Sequence, residues 1–424
     1  MRNNQIFKDT EIGKIPNNWE VVRLGDDKIC KDMFYGITAK ATERVTKLRM
    51  LRTTDVKNYF ADWNNLPFCE VTENRNNFDK YILKKDDIVI ARAGTVGVSV
   101  LVNRDFDNVI FGSYLIKVKL KPSAYPKFIH YFLQSNLYWK HIEKAQGSTL
   151  KNINLPLLKS LKFPLPPLPE QKKIAEILTT VDQAIEKVDE GIEKTQRLKK
   201  GLMQELLTKD IGHKEFKNTK IGKIPKEWEV AQLKDVVEIN RDSVDPTKDF
   251  PNGTILYIDI DSVENETGVI TKAKEILGKD APSRARRLIH YNDVLMSTVR
   301  PYLKAFAIVP RKFHNQICST GFAVLTCNEK IYSSFLLYTL FTGYVMDQCN
   351  RMMVGGQYPA LNSSQVEKIK IPLPPLPEQQ KIAEILSAVD ERLELLRRRK
   401  ERLERVKKGL MNDLLTGKVR VILN

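Results

Sequence analysis

The residues in this sequence that could do chemistry do not assemble into the motifs of a catalyst, each of which is incomplete where it would have to stand. A phosphate-cradling ATP loop needs GxxxxGK followed by Ser or Thr, and the four Gly-Lys pairs here (13–14, 222–223, 278–279, 417–418) are followed by Ile, Ile, Asp and Val. A methyltransferase acting on adenine would show an (N/D)PP(Y/F) loop, and the nearest match, Asn65-Leu66-Pro67-Phe68, lacks the second proline. Asp55-Val56-Lys57, with Asp32 upstream, spells the D…(D/E)xK pattern of a metal-dependent nuclease. Three residues of such common types coincide by accident in most chains of this length. The five histidines show no HExxH spacing and the five cysteines no CxxC pair, so no metal site or disulfide framework is expected. The expectation is a protein without a catalytic residue and without a cofactor.

Base reading needs donors and acceptors at base edges, chiefly Arg or Lys to guanine and Asn or Gln to adenine, whereas phosphate contacts only fix register. Four loops offer such groups. Arg92 and Thr95 lie in KKDDIVIARAGTVGVSVLV (84–102), and Ser148, Thr149, Lys151 and Asn152 in GSTLKNIN (147–154). Arg300, Tyr302 and Lys304 lie in HYNDVLMSTVRPYLKAFAIV (290–309), with Gln357 and Tyr358 in GGQYPALN (355–362). The blander role of such residues is contact with phosphate or solvent alone. A formal charge of +17 and an estimated pI of 9.4 favour a polyanionic partner such as nucleic acid.

The elements that must position these loops come in two copies. Residues 12–26 (IGKIPNNWEVVRLGD) and 221–235 (IGKIPKEWEVAQLKD) agree at 10 of 15 positions, and residues 164–178 (PLPPLPEQKKIAEIL) and 372–386 (PLPPLPEQQKIAEIL) at 14 of 15. A third match pairs KKGLMQELLT (199–208) with KKGLMNDLLT (407–416). The regions between, about 27–163 and 236–371, share little sequence. A duplication that keeps its frame and loses its inserts points to a fixed scaffold presenting two different surfaces. In each insert an acidic turn leads into a β-rich hairpin, followed by a Tyr-, Phe- and Leu-rich helical stretch (125–142, 332–348) and a glycine loop, so each unit reads as α+β. Trp19 and Trp228, at equivalent positions, read as buried anchors rather than stacking platforms.

After Pro169 and Pro377 both copies turn helical, proline being suited to a first turn. Apolar residues then recur at heptad spacing, Leu178, Val181, Ile185, Val188, Ile192, Leu202 and Leu206 in one, and Leu386, Val389, Leu393, Leu396, Leu403, Leu410 and Leu414 in the other. Such a stripe is buried against a partner helix, and the two are expected to pair with each other rather than dimerise the chain. The second helix carries Lys400 and Lys407 where the first carries Ile192 and Lys199, which suits two unlike partners. About 40 residues at roughly 1.5 Å each make a rod of about 60 Å. The helical segments carry net charges of 0 (170–209) and +3 (378–418), leaving most of the positive charge on the inserts.

The repeated PLPPLPEQ[KQ]KIAEIL, the two IGKIPxxWEV segments and the two unlike inserts resemble the specificity (S) subunit of type I restriction-modification enzymes, over nearly the whole chain. The resemblance implies an α+β fold of two similar α/β target recognition domains, separated by two long antiparallel coiled-coil helices in a pseudo-twofold, cyclic arrangement. The expected boundaries are 1–167 and 211–375 for the recognition domains and 168–210 and 376–424 for the helical spacers. It further implies double-stranded DNA read as a bipartite target, helices that set the gap and dock two modification (methyltransferase) subunits, and restriction subunits joining through that complex. The leading residues lack an apolar core of signal-peptide length and no run approaches the roughly 20 apolar residues of a membrane span, so a cytoplasmic protein without membrane contact is expected.

Overall fold

The computed structural model describes residues 7–71, 78–146, 152–209, 212–353 and 359–421. The chain forms two compact units, residues 1–189 with 398–424, and residues 190–397. Two 39-residue helices, α1 (Leu168–Leu206) and α2 (Leu376–Leu414), run through both units.

Within the first unit a four-stranded antiparallel sheet has the order Ser99–Leu101, Ile88–Ala91, Leu115–Leu120, Cys30–Tyr35. A second sheet has the order Val109–Phe111, Arg49–Leu51, Phe68–Val71, Ala39–Thr42, its first pair parallel. The second unit repeats the first of these sheets and most of the second. Its antiparallel sheet runs Val237–Ile239, Phe322–Cys327, Val294–Ser297, Phe306–Ile308. Its other sheet runs Lys274–Leu277, Thr254–Ile258, Gln316–Ser319, Ala285–Ile289, with the central pair parallel. Inserts of little common sequence therefore share one sheet and three strands of the other, whose fourth strand differs, Ala39–Thr42 beside Phe68–Val71 in one unit and Ala285–Ile289 beside Gln316–Ser319 in the other. Alternation of β-branched and apolar residues is enough to specify a strand while leaving its outward side chains open to change.

The repeated leading segment forms a hairpin in each unit, Phe7–Thr10 with Gly13–Pro16 and Phe216–Thr219 with Gly222–Pro225, in the same register. The turn needs Gly13 and Gly222, whose φ angles are +107° and +116°. Trp19 and Trp228 follow, both fully buried. Each indole N–H donates to the glutamate of the PEQ motif, Trp19 to Glu170 and Trp228 to Glu378, both at 3.0 Å. The glutamine beside it staples the loop ahead of the insert's helices. Gln171 Oε1 accepts from Tyr125 N and its amide donates to Pro166 O, while Gln379 accepts from Tyr332 N and donates to Pro374 O. In both copies the glutamate, buried at 170 and half-buried at 378, and the buried glutamine have fixed partners, and changing either would leave a buried polar group unpaired.

The Tyr- and Phe-rich stretch is two helices in each unit, Pro126–Phe132 and Asn136–Gln146, and Ser333–Leu340 and Gly343–Met352. In the first the break falls at Ser135, whose hydroxyl accepts from Tyr138 N and so begins the next helix. A short helix follows each glycine loop, capped by Asn154 in one unit and Asn362 in the other. Phe128, Phe132, Phe163, Leu178 and Leu414 pack around Trp19, and Phe335, Leu336, Leu386 and Leu207 around Trp228.

Within each unit α1 and α2 run antiparallel. In the first, successive α1 positions meet receding positions of the C-terminal segment: Glu170 with Arg420, Asp182 with Lys407 at 2.8 Å, Asp189 with Lys400 at 2.7 Å. In the second, Gly191 faces the Leu396 methyls and Lys199 pairs with Asp390 at 2.6 Å. Asp182 also accepts from the Tyr131 hydroxyl at 2.7 Å and Asp390 from Tyr338 at 2.9 Å, so the same Tyr-Asp-Lys contact ties each insert to both helices. Leu178, Val188, Leu386 and Leu393 are buried, and Val181, Ile185, Ile192, Val389, Leu396 and Leu403 are half-buried. Two helices cover only one flank of such a stripe, which leaves the middle positions partly open. No helix among the described residues is long and apolar enough to cross a membrane. The five cysteines are free, and burial pushes the thiols of Cys69, Cys327 and Cys349 up to about 11, 12 and 12.

Candidate nucleic-acid interface

Both hairpins are launched by the same turn. Asp87 Oδ2 accepts from Lys84 N and Asp293 Oδ2 from His290 N, and the residues before them, Asp86 and Asn292, have φ of 72° and 70°. The carboxylates are buried and compensated differently. Asp87 lies 3.4 Å from the Lys117 ammonium, itself nearly sealed and pushed down by desolvation. Asp293 accepts from the Thr326 hydroxyl at 2.7 Å, and burial pushes its carboxyl up. His290 is clasped between Asp242 (2.8 Å) and Asn315 (3.0 Å), which braces the turn of the second unit.

At the hairpin tips the two units share two backbone hydrogen bonds. Arg92 N donates to Tyr114 O and Thr298 N to Gly321 O, while Ile153 N donates to Arg92 O and Leu361 N to Thr298 O. Arg92 therefore corresponds to Thr298, and Tyr114 to Gly321. The left-handed positions correspond as well, Gly94 (φ +74°) and Gly97 (φ +85°) in one tip, Arg300 (φ 48°) and Lys304 (φ 54°) in the other. Two non-glycine residues held in that region store backbone strain of about 1–3 kcal/mol each. The shared hydrogen bonds also join each hairpin tip to the segment leaving the glycine loop, and in the second unit Arg300 N donates to Pro359 O.

Several of the candidate residues gather there. Arg92 stacks its guanidinium 4.6 Å above the Tyr35 ring, and Tyr35 in turn accepts from Leu155 N. Thr95 is exposed and donates to Thr53 O at 3.2 Å. Asn152 is exposed one residue before Ile153. In the second unit Tyr302 is 46% exposed at the tip, and Lys304 Nζ lies 3.3 Å from Glu266, which offsets its charge. Ser148, Thr149, Lys151, Gln357 and Tyr358 lie outside the described residues. The structure adds Tyr35 and Tyr114 to the first tip, the latter 63% exposed. Neither carries a sequence signal, since Tyr35 reaches Arg92 only through pairing of strands 30–35 and 115–120.

The tip is supported from behind. Tyr138 donates to Gly97 O at 2.9 Å and Trp139 to the Tyr59 hydroxyl at 3.0 Å, and a methyl group on Gly97 would sit 2.8 Å from the Trp139 ring. Of the nuclease-like triplet, Asp55 gives both carboxylate oxygens to the Arg52 guanidinium at 2.8 and 3.0 Å. Among the described residues no group of three or more His, Cys, Asp or Glu could hold a metal ion. The arrangement can offer hydrogen-bonding and stacking side chains from two tips that differ at the matched positions 92 and 298, 114 and 321, 94 and 300, and 97 and 304.

Comparison with known proteins is consistent over the whole chain. The family described as "Type I restriction modification DNA specificity domain" matches twice, at residues 16–194 and 225–405. A protein of Methanocaldococcus jannaschii named putative type I restriction enzyme MjaX specificity subunit is 32% identical, over 98% of this chain and 97% of its own. A second from that organism, type I restriction enzyme MjaVIII specificity subunit, is 28% identical over 98% and 96%. The crystal structure of a type I restriction-modification system S subunit from M. genitalium has the same fold, with a TM-score of 0.57 at 17% identity, covering 98% of both chains. Two family matches on two repeats, each spanning a hairpin tip and a long helix, leave one assignment: the chain belongs to the type I restriction-modification DNA specificity family.

Proposed function

We propose that this chain reads a bipartite double-stranded DNA target for a type I restriction-modification complex, each unit taking one half, and performs no catalysis itself. The single observation that supports the reading is the pair of hairpin tips, which share the backbone hydrogen bonds through Arg92 and Thr298 and differ in the side chains at those positions, at Tyr114 and Gly321, and at the left-handed positions. One backbone frame with two side-chain sets is what two half-sites of different sequence require. Helices α1 and α2 then serve as a spacer of fixed length and as the platform for two modification subunits, with restriction subunits joining through that assembly. The net charge of +17 supplies the sequence-independent attraction to phosphate. Work in the cytoplasm follows from that role.

Reconstitution tests the proposal. The chain should co-purify with its cognate modification subunits, and that complex should bind duplex DNA with an affinity that falls linearly with the logarithm of salt concentration, as counterion release dictates. Binding insensitive to salt, or DNA cleaved or methylated by the isolated chain, would contradict it.

A further inference from the structure

We propose that Arg92 reads a guanine in the half-site taken by the first unit, an inference that rests on the DNA-reading function above. Arginine in proteins usually spends its donors on a carboxylate or a carbonyl. The Arg92 guanidinium makes no hydrogen bond or ion pair among the described residues; its fixed contact is the Tyr35 ring, 4.6 Å from its carbon. Its Nε is buried without a hydrogen-bond partner.

The residue is nonetheless held firmly. Its backbone is bonded on both sides, to Tyr114 O at 3.0 Å and from Ile153 N at 2.9 Å, and Tyr35 is anchored by Leu155 N at 3.1 Å. A stacked guanidinium gives up little side-chain freedom on forming hydrogen bonds, and its planar fork matches the O6 and N7 acceptors of guanine. A phosphate would be met equally well by a mobile exposed lysine, and would not require this anchoring. Thr298, at the same position of the second unit, has its hydroxyl committed to Gly321 O at 2.9 Å in a buried setting. That position therefore reads no base in the second unit, and the effect of Arg92 is confined to one half.

The test uses the full chain in complex with its modification subunits and maps methylated sites on a library of random DNA, for the parent, Arg92→Ala and Arg92→Lys. The parent motif should contain a G·C pair in its first half. Both variants should lose preference at that one pair by about 10- to 100-fold, the discrimination of one bidentate contact. The rest of the first half and the whole second half should be kept, the second half serving as the internal control for folding. An unchanged motif, with affinity reduced uniformly and the salt slope lowered by about 0.9, would make Arg92 a phosphate contact and overturn the inference. Loss of the second half in both variants would also overturn it. A parent complex that methylates no bipartite site would instead overturn the DNA-reading function on which it rests.

Discussion

Removing the Arg420 side chain should destabilise the first unit and leave the second unaffected. Glu170 is 2% exposed in its side chain, and Arg420 grips both of its oxygens, at 2.5 and 2.8 Å, with the guanidinium 5.9 Å from the Trp19 ring centre. Arg420→Met removes two charge-assisted bonds and leaves the carboxylate with the Trp19 indole N–H. Breaking a fully buried pair from one side costs about 3–5 kcal/mol. Because Arg420 is 28% exposed, water can enter and compensate, which brings the expectation down to about 2–3 kcal/mol. For a unit of roughly 200 residues that corresponds to a fall in Tm of about 4–12 °C. Calorimetry gives the shift, and hydrogen exchange should place the lost protection around Trp19 and the first turn of α1, with the Trp228 region unchanged. In a Glu170→Gln background the same replacement should cost much less, since no charge is left unpaired. A Tm within 1 °C of the parent, or an equal loss in the Gln background, would refute the reasoning.

The pH dependence follows from His130, whose imidazole is held down to about 3 chiefly by burial, aided by Lys407 and Lys127. The unfolded chain binds a proton there below about pH 6.5 and the folded one does not, so stability is full above pH 6.5 and is lost as pH falls toward 3. Between pH 7.5 and 5.5 the parent should lose about 1.4 kcal/mol more than His130→Gln in urea unfolding, and equal losses would contradict the assignment. Gly97→Ala should destabilise the first unit by about 1–3 kcal/mol, measured by Tm, because its φ of +85° and the Trp139 ring 2.8 Å from the added methyl both resist it. Tyr338→Phe should cost about 1 kcal/mol through loss of its bond to Asp390, and a double-mutant cycle with Lys199→Met should show coupling through that carboxylate.

Much of the frame was legible in the sequence because the frame is where chemistry is constrained. Glu170, Gln171, Glu378 and Gln379 bond to fixed partners, so the PEQ motif survives in both copies and announces the long helices. The acidic turns at Asp87 and Asp293 could be matched for the same reason. The helix seam was visible as heptad spacing, and the lysines at 199, 400 and 407 as its asymmetry, although their partners Asp390, Asp189 and Asp182 become evident only once the chain is folded.

Side-chain neighbours at the tips were far less legible. Arg92 and Arg300 are both basic residues after a β-rich run, yet the hydrogen bonds pair Arg92 with Thr298. The copies keep one register from Asp87 and Asp293 as far as Gly94 and Arg300, and part only at the extra residue before Lys304. Tyr35 and Tyr114 join Arg92 across strands far apart in the chain, and no periodicity reports such contacts.

The measurement that tests the central claim most directly is an exchange of reading regions. Residues 27–163 would be replaced by the corresponding insert of a relative with a different target, the chain combined with its modification subunits, and the methylated sites mapped genome-wide. The account predicts a bipartite motif in which one half changes to that of the donor while the other half and the gap stay fixed. Methylation at a single undivided site, or a change in both halves at once, would contradict it.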